Sequence, residues 1–244
     1  MRFKPPTSAA FSVTELLVVI AVILMLAALL LPAISLAKTK SQRATCASNL
    51  HQIDLAIRMY TDDNKDTLPL LGPPSSGGDT VWEAFRPMVQ NYLGVHSQAT
   101  SADKIFICPA DTFTTMFVFS SPPDHESLSR GGPAYQNTLT NFTSYIFNGF
   151  NTKTNPACPG IAGSRLGSLR NPKTVLVAEG SAFEGFSWHK PQKELLFRDS
   201  LNEVGYVDGH VDFVKIFWNG SSAESGFTYH YDPPEGYAYT WSAK

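Results

Sequence analysis

The chain has 244 residues, with 19 Lys and Arg against 21 Asp and Glu and a formal net charge of −2 at pH 7. Without a basic patch there is no footing for a nucleic-acid partner, so none is expected. Setting aside an apolar N-terminal segment, about 210 residues remain, enough for one soluble domain with its own core.

Residues 1–10 form a short leader carrying Arg2 and Lys4 and no acid. Phe11, Ser12 and Glu15 follow, and then residues 16–34 run without a charge, interrupted only by Pro32. As a helix those residues span about 28 Å, close to the ~30 Å of a bilayer's hydrocarbon core. Pro32 lacks a backbone donor and is expected to kink or locally open the helix. Ser35-Leu36-Ala37 resembles a small-x-small secretory cleavage site, which would leave Lys38 first. Against that reading, the apolar run is longer than an ordinary signal core, an acid opens it, and the helical pattern continues beyond Ala37.

Across residues 35–64 the pattern becomes amphipathic. Cys46, Leu50, Ile53, Ile57 and Tyr60 recur at three and four, while Lys38, Lys40, Gln42, Arg43, Asn49, Gln52 and Arg58 fall mainly off that stripe. One long helix is therefore expected, its first half in lipid and its second packed on a globular head. Asp62, Asn64 and Asp66 imitate the opening of a calcium loop, but Thr67 and Pro73 stand where Gly and Glu are wanted. The preferred reading is a helix end and turn, with calcium as the lesser alternative. A Pro/Ser/Gly-rich loop at 72–78 precedes a short helix over 81–92, with Trp82, Phe85, Val89 and Tyr92 on one face.

From there the pattern is strand-like and rich in aromatics. Strands are predicted at 104–108, 115–120, 143–147, 174–178 (a central one ending at Glu179), 194–197, 203–208 and 211–217, with Asp208-Gly209 as a tight turn. The expected class is α+β: a long N-terminal helix against an antiparallel sheet in a head of residues 65–244. Cys46, Cys108 and Cys158 allow three single bridges or none, and sequence alone selects no pairing. Cys46–Cys108 is favoured because it would tie the helix to the sheet domain. Cys-x-x-Cys and Cys/His zinc spacings are absent.

The order of basic leader, Ala10, Phe11, Ser12, two residues, Glu15 and a long apolar helix resembles the prepilin signature of type IV pilins and type II secretion pseudopilins. Ala10 stands for the usual Gly and Ser12 for the usual Thr. The resemblance is strong over about the first sixty residues. It implies cleavage between Ala10 and Phe11 by a prepilin peptidase that then methylates the Phe11 amine. Loss of Arg2 and Lys4 with the leader would take the net charge from −2 to −4. It also implies that residues 11–34 anchor the chain in the inner membrane and pack on other pilin-like subunits, with Glu15 meeting a neighbour's N-terminal amine. A carboxylate buried at a helix centre in a bilayer costs ~2.5–3.5 kcal/mol on insertion scales, which gives such a pairing its motive. Lys38, Lys40 and Arg43 leave the positive-inside rule ambiguous or reversed. The resemblance alone puts the N-terminus inside and the head in the periplasm or otherwise outside the cytoplasm.

A second, weaker resemblance rests on Cys46-Ala47-Ser48-Asn49-Leu50, Cys108-Pro109-Ala110-Asp111, Ser144-Tyr145 and Val207-Asp208-Gly209-His210-Val211. These are similar to a prepilin-processing-associated family defined by a His, nine residues and Asp-Gly. Here Arg198, not His, stands ten before Asp208. An Arg could pair with a carboxylate but could not ligate a metal. Asp208, His210 and Asp212 alternate and, in a continuous strand, would form a candidate metal cluster; against it stand the Asp208-Gly209 turn, which breaks that geometry, and the plain reading of a solvated strand face. His189 reads as a surface or rim histidine. Neither a nucleophile elbow nor a phosphate loop is present, so an enzyme is not expected. The rings over 227–241, including Tyr229, Tyr231, Tyr237 and Tyr239, suggest sugar stacking or, more simply, cover for the sheet edge. Two functions follow: a pilin-like structural subunit, or a membrane-anchored, glycan-binding module that uses the pilin signal for sorting.

Overall fold

The computed structural model describes residues 12–70, 81–95, 104–111, 143–149, 160–190, 199–218 and 232–242. The chain divides into two compact units, Met1–Ser41 and Gln42–Lys244. Helix α1, Val13–Asp63, begins in the first and ends in the second.

In the first unit α1 is apolar on every side over residues 16–34, and its large side chains from Leu16 to Ile34 are exposed. Pro32 lies inside the helix. A helix with no polar face has nothing to turn toward water. By length and composition it is able to cross a membrane, a property that signal sequences near an N-terminus share.

In the second unit α1 buries Cys46, Leu50, Ile53, Ala56, Ile57 and Thr61, so the predicted stripe is the buried one; Tyr60 packs half-buried beside it. The helix stops where Lys65 and Asp66 adopt φ of 57° and 62°. The Asp66 amide donates to the Thr61 carbonyl at 2.9 Å, and its carboxylate accepts the Gly167 N–H at 3.1 Å. Asn64 turns its amide back to the Tyr60 carbonyl at 2.7 Å. Of the calcium-like residues, Asn64 thus closes the helix end and Asp66 ties the turn after it to Gly167.

Helix α2, Val81–Val89, continues as a 3-10 turn over Gln90–Leu93, ended by Gly94 at φ 73°. Phe85 and Val89 enter the core, and Tyr92 meets Tyr60 edge-on at 6.4 Å. Lys104–Phe106, expected as a strand, is a 3-10 turn. The side-chain amide of Asn49 donates to the carbonyls of Lys104 and Ile107, both at 3.1 Å. Those acceptors are thereby committed to the helix rather than to a neighbouring strand.

The sheet is antiparallel throughout, in the order β1 (Tyr145–Phe147), β2 (Val175–Glu179), β3 (Ser200–Tyr206), β4 (Val211–Ile216). β2 is central, wholly buried and ends at Glu179, as its sequence suggests. β3 starts at Ser200, earlier than expected, and pairs with β4 from Ser200↔Ile216 to Gly205↔Val211. The expected strands at 115–120 and 194–197 lie outside the described residues.

The pleat sorts side chains to two cores. Tyr145, Phe147 and Val177 pack with α1 and α2, while Ile146, Ala178, Val204 and Ile216 pack with Tyr239 and Trp241 from the C-terminal tail. The tail reaches them by pairing Thr240 with Thr174: the Val175 N–H donates to the Thr240 carbonyl at 2.9 Å and the Thr240 N–H to the Lys173 carbonyl at 2.8 Å. Asn148 fastens it, donating to the carbonyls of Val175 and Trp241 at 2.9 and 2.8 Å.

Candidate functional site

Three places concentrate polar chemistry. At the start of α1, the Ser12 amide donates to Glu15 Oε2 at 2.9 Å, and the Thr14 amide donates to Ser12 Oγ at 3.2 Å. Ser12-Val13-Thr14-Glu15 has the spacing of a capping box, which satisfies amide donors that the first turn leaves open. Glu15 therefore closes its own helix, a role legible in the sequence and absent from the expectations above. Ala10 and Phe11 lie outside the described residues.

The second place joins α1 to the sheet. Cys46 and Cys108 form a disulfide, so the favoured of the three pairings is the one present. Cys158 lies outside the described residues. Against the disulfide sit two buried ionisable side chains. Glu179 Oε1 is 2.7 Å from His189 Nε2, and Cys108 Sγ is 3.6 Å from both. Glu179 Oε2 accepts the Glu203 N–H at 3.0 Å. His189 is fully enclosed, its Nδ1 having no partner among the described residues, which corrects its reading as a surface or rim residue. A carboxylate at the buried end of an apolar strand must find a partner, because an unpaired buried charge costs several kcal/mol. Glu179 ending Val-Leu-Val-Ala was the signal that a buried partner had to exist.

An Arg–Glu ion pair flanks this contact. Arg43 Nε of α1 donates to Glu203 Oε1 at 2.6 Å, while the guanidinium carbon stands 3.9 Å from the Phe213 ring centre. Burial raises the Glu203 pKa, and Arg43 opposes that rise. Burial also holds the Tyr145 phenol well above its ordinary pKa, with the Glu179 charge adding to it. Asn49 Nδ2 donates to that phenol oxygen at 3.2 Å.

The third place is the β3–β4 turn. Gly209 has φ of 98°, which favours glycine. Arg58 of α1 donates to the Val207 carbonyl and, at 3.4 Å, to the Tyr206 carbonyl, and its Nε meets Asp54 Oδ2 at 3.3 Å. Burial pushes the Asp54 pKa up to about 6 against the pull of Arg58. Asp208 pairs with His210, which stacks on Tyr206 at 4.1 Å. Asp212 lies on β4 and accepts the Phe213 N–H at 3.2 Å. The three candidate ligands Asp208, His210 and Asp212 do not gather into one metal-binding group among the described residues; Cys46, Cys108, Glu179 and His189 do. The turn interrupts the alternation on which the first cluster depended. Arg198 lies outside the described residues.

Tyr239 and Trp241 are buried core residues and offer no open ring face. Tyr237, half-buried, donates its hydroxyl to Asp199 at 2.6 Å. Phe227, Tyr229 and Tyr231 lie outside the described residues. No known protein family, curated protein or solved structure matches the chain.

Proposed function

We infer that this chain is a pilin-like or pseudopilin subunit: a structural protein of a type II secretion or type IV pilus-like machine. In this reading a prepilin peptidase cuts between Ala10 and Phe11 and methylates Phe11. Residues 11–34 then hold the mature chain in the inner membrane, with the head outside the cytoplasm. The observation that carries the reading is the division of α1. Residues 16–34 are apolar all round, with their large side chains exposed, behind a single carboxylate at the first turn, whereas the stretch from Cys46 onward is an amphipathic face buried in the head. A water-soluble role gives the first stretch nothing to cover, while lipid and copies of the same helix both cover it. The Cys46–Cys108 bridge suits an exported, oxidising compartment.

Glu15 has two roles to separate, since it both caps its own helix and, in this reading, pairs with a neighbour's amine. Glu15→Gln keeps capping-box chemistry and removes the charge, whereas Glu15→Ala removes both. Assembly is scored by cross-linking and by shearing of surface filaments, alongside leader cleavage. Both variants are expected to be cleaved and to fail in assembly. Normal assembly by Glu15→Gln would reduce Glu15 to a helix cap and defeat the pairing.

A further inference from the structure

The geometry points to a second state of the disulfide site: reduced, Cys46, Cys108, Glu179 and His189 form a closed four-ligand site for zinc. This inference stands apart from the filament reading, because it concerns only the joint between α1 and the sheet.

The four side chains come from separate segments: α1, the turn after Lys104–Phe106, the end of β2, and the loop after the 3-10 turn Gly180–Glu184. All are buried, and one ligand atom from each lies within 4.8 Å of the others. A tetrahedral centre with zinc–ligand bonds of about 2.0–2.3 Å places neighbouring ligand atoms roughly 3.3–3.8 Å apart. Cys108 Sγ stands 3.6 Å from both Glu179 Oε1 and His189 Nε2, inside that range. To admit the ion, the two sulfurs, bonded here, must part on reduction to that same range, and the Glu179–His189 separation of 2.7 Å must widen by roughly half an ångström. The Glu203 N–H on Glu179 Oε2 leaves Oε1 as the oxygen facing the sulfurs, an outer contact of the kind that orients metal-binding carboxylates.

Two thiolates, an imidazole and a carboxylate are a zinc donor set, and four protein ligands leave no open position, so the site is structural rather than catalytic. Ligation through Nε2 requires the ring proton on Nδ1, which has no partner among the described residues. One unpaired buried donor costs several-fold less than the closure of a structural zinc site returns.

The chemistry balances with a dithiol as reductant. Its two thiols give two electrons and two protons to the Cys46–Cys108 bond and become a disulfide. Both cysteine thiols then release their protons to solvent as the divalent ion binds. The same joint is thus held covalently when oxidised and by metal when reduced.

Cobalt tests this, as a visible stand-in for zinc. The full chain carrying Cys158→Ser, in detergent, is reduced with a phosphine, freed of reductant anaerobically and titrated with cobalt(II). The expected result is one cobalt per chain, with thiolate charge-transfer absorption and the intense visible bands of a tetrahedral ion. Zinc should abolish those bands, and the oxidised chain should never show them. His189→Ala should weaken cobalt binding by at least about tenfold, and Glu179→Gln likewise. Weak octahedral bands, binding unaffected by both substitutions, or loss of far-ultraviolet helix signal in the reduced, metal-loaded wild type would each overturn the site.

Discussion

Asp54→Asn should change how stability depends on pH. Asp54 is buried on α1, receives Arg58 at 3.3 Å, and keeps Oδ1 without a partner among the described residues. Burial dominates and raises its pKa from 3.8 to about 6. The folded chain therefore holds the Asp54 proton more tightly than the unfolded chain. The resulting stabilisation is fully present below pH ~4 and is lost as pH rises through about 6. A rise of that size corresponds to about 3 kcal/mol. The substituted amide does not titrate, so the variant's stability relative to wild type should climb by about that amount between pH 4 and pH 7. The assay is urea unfolding of both chains in detergent, followed by near-ultraviolet circular dichroism across that range. Subtracting one curve from the other cancels the titrating groups not coupled to Asp54, Glu203 among them. Parallel curves would refute the assignment of the penalty to Asp54. A difference that falls with rising pH would show instead that Arg58 outweighs burial.

Gly209→Ala should destabilise the head by about 1–3 kcal/mol in the same unfolding assay, from backbone strain at φ 98°. Crowding is not the cause, since a Cβ would meet Arg58 Nη2 at an ordinary 3.5 Å; an unchanged midpoint would remove the turn's need for glycine. Cys46→Ser with Cys108→Ser should cost about 4 kcal/mol in oxidising, metal-free buffer, because the bridge spans 62 residues of chain and its loss frees that loop in the unfolded state. A loss below about 1 kcal/mol would mean that Arg43–Glu203 and the apolar stripe hold the joint without it.

Local pattern made the long helix and the central strand legible. The three-and-four spacing from Cys46 to Ile57 needed no knowledge of what lay opposite it, and Val-Leu-Val-Ala reads as a strand buried on both faces. The run 104–108 misled because β propensity describes a residue, whereas Asn49, more than fifty residues earlier, claims the Lys104 and Ile107 carbonyls. The site was hidden for a related reason. Alternation would put Asp208, His210 and Asp212 on one face only in a continuous strand, and the Asp208-Gly209 turn that breaks it was itself legible. Cys108, Glu179 and His189 carry no spacing at all and meet only through tertiary contacts. Ser12 to Glu15 shows the opposite case, a capping box readable from four consecutive residues.

The filament account depends on what the mature chain begins with, and intact-mass measurement of protein extracted from membranes reads this directly. The account predicts a chain that starts at Phe11 and carries one methyl group on its amine. A chain starting at Met1 or at Lys38 would contradict it.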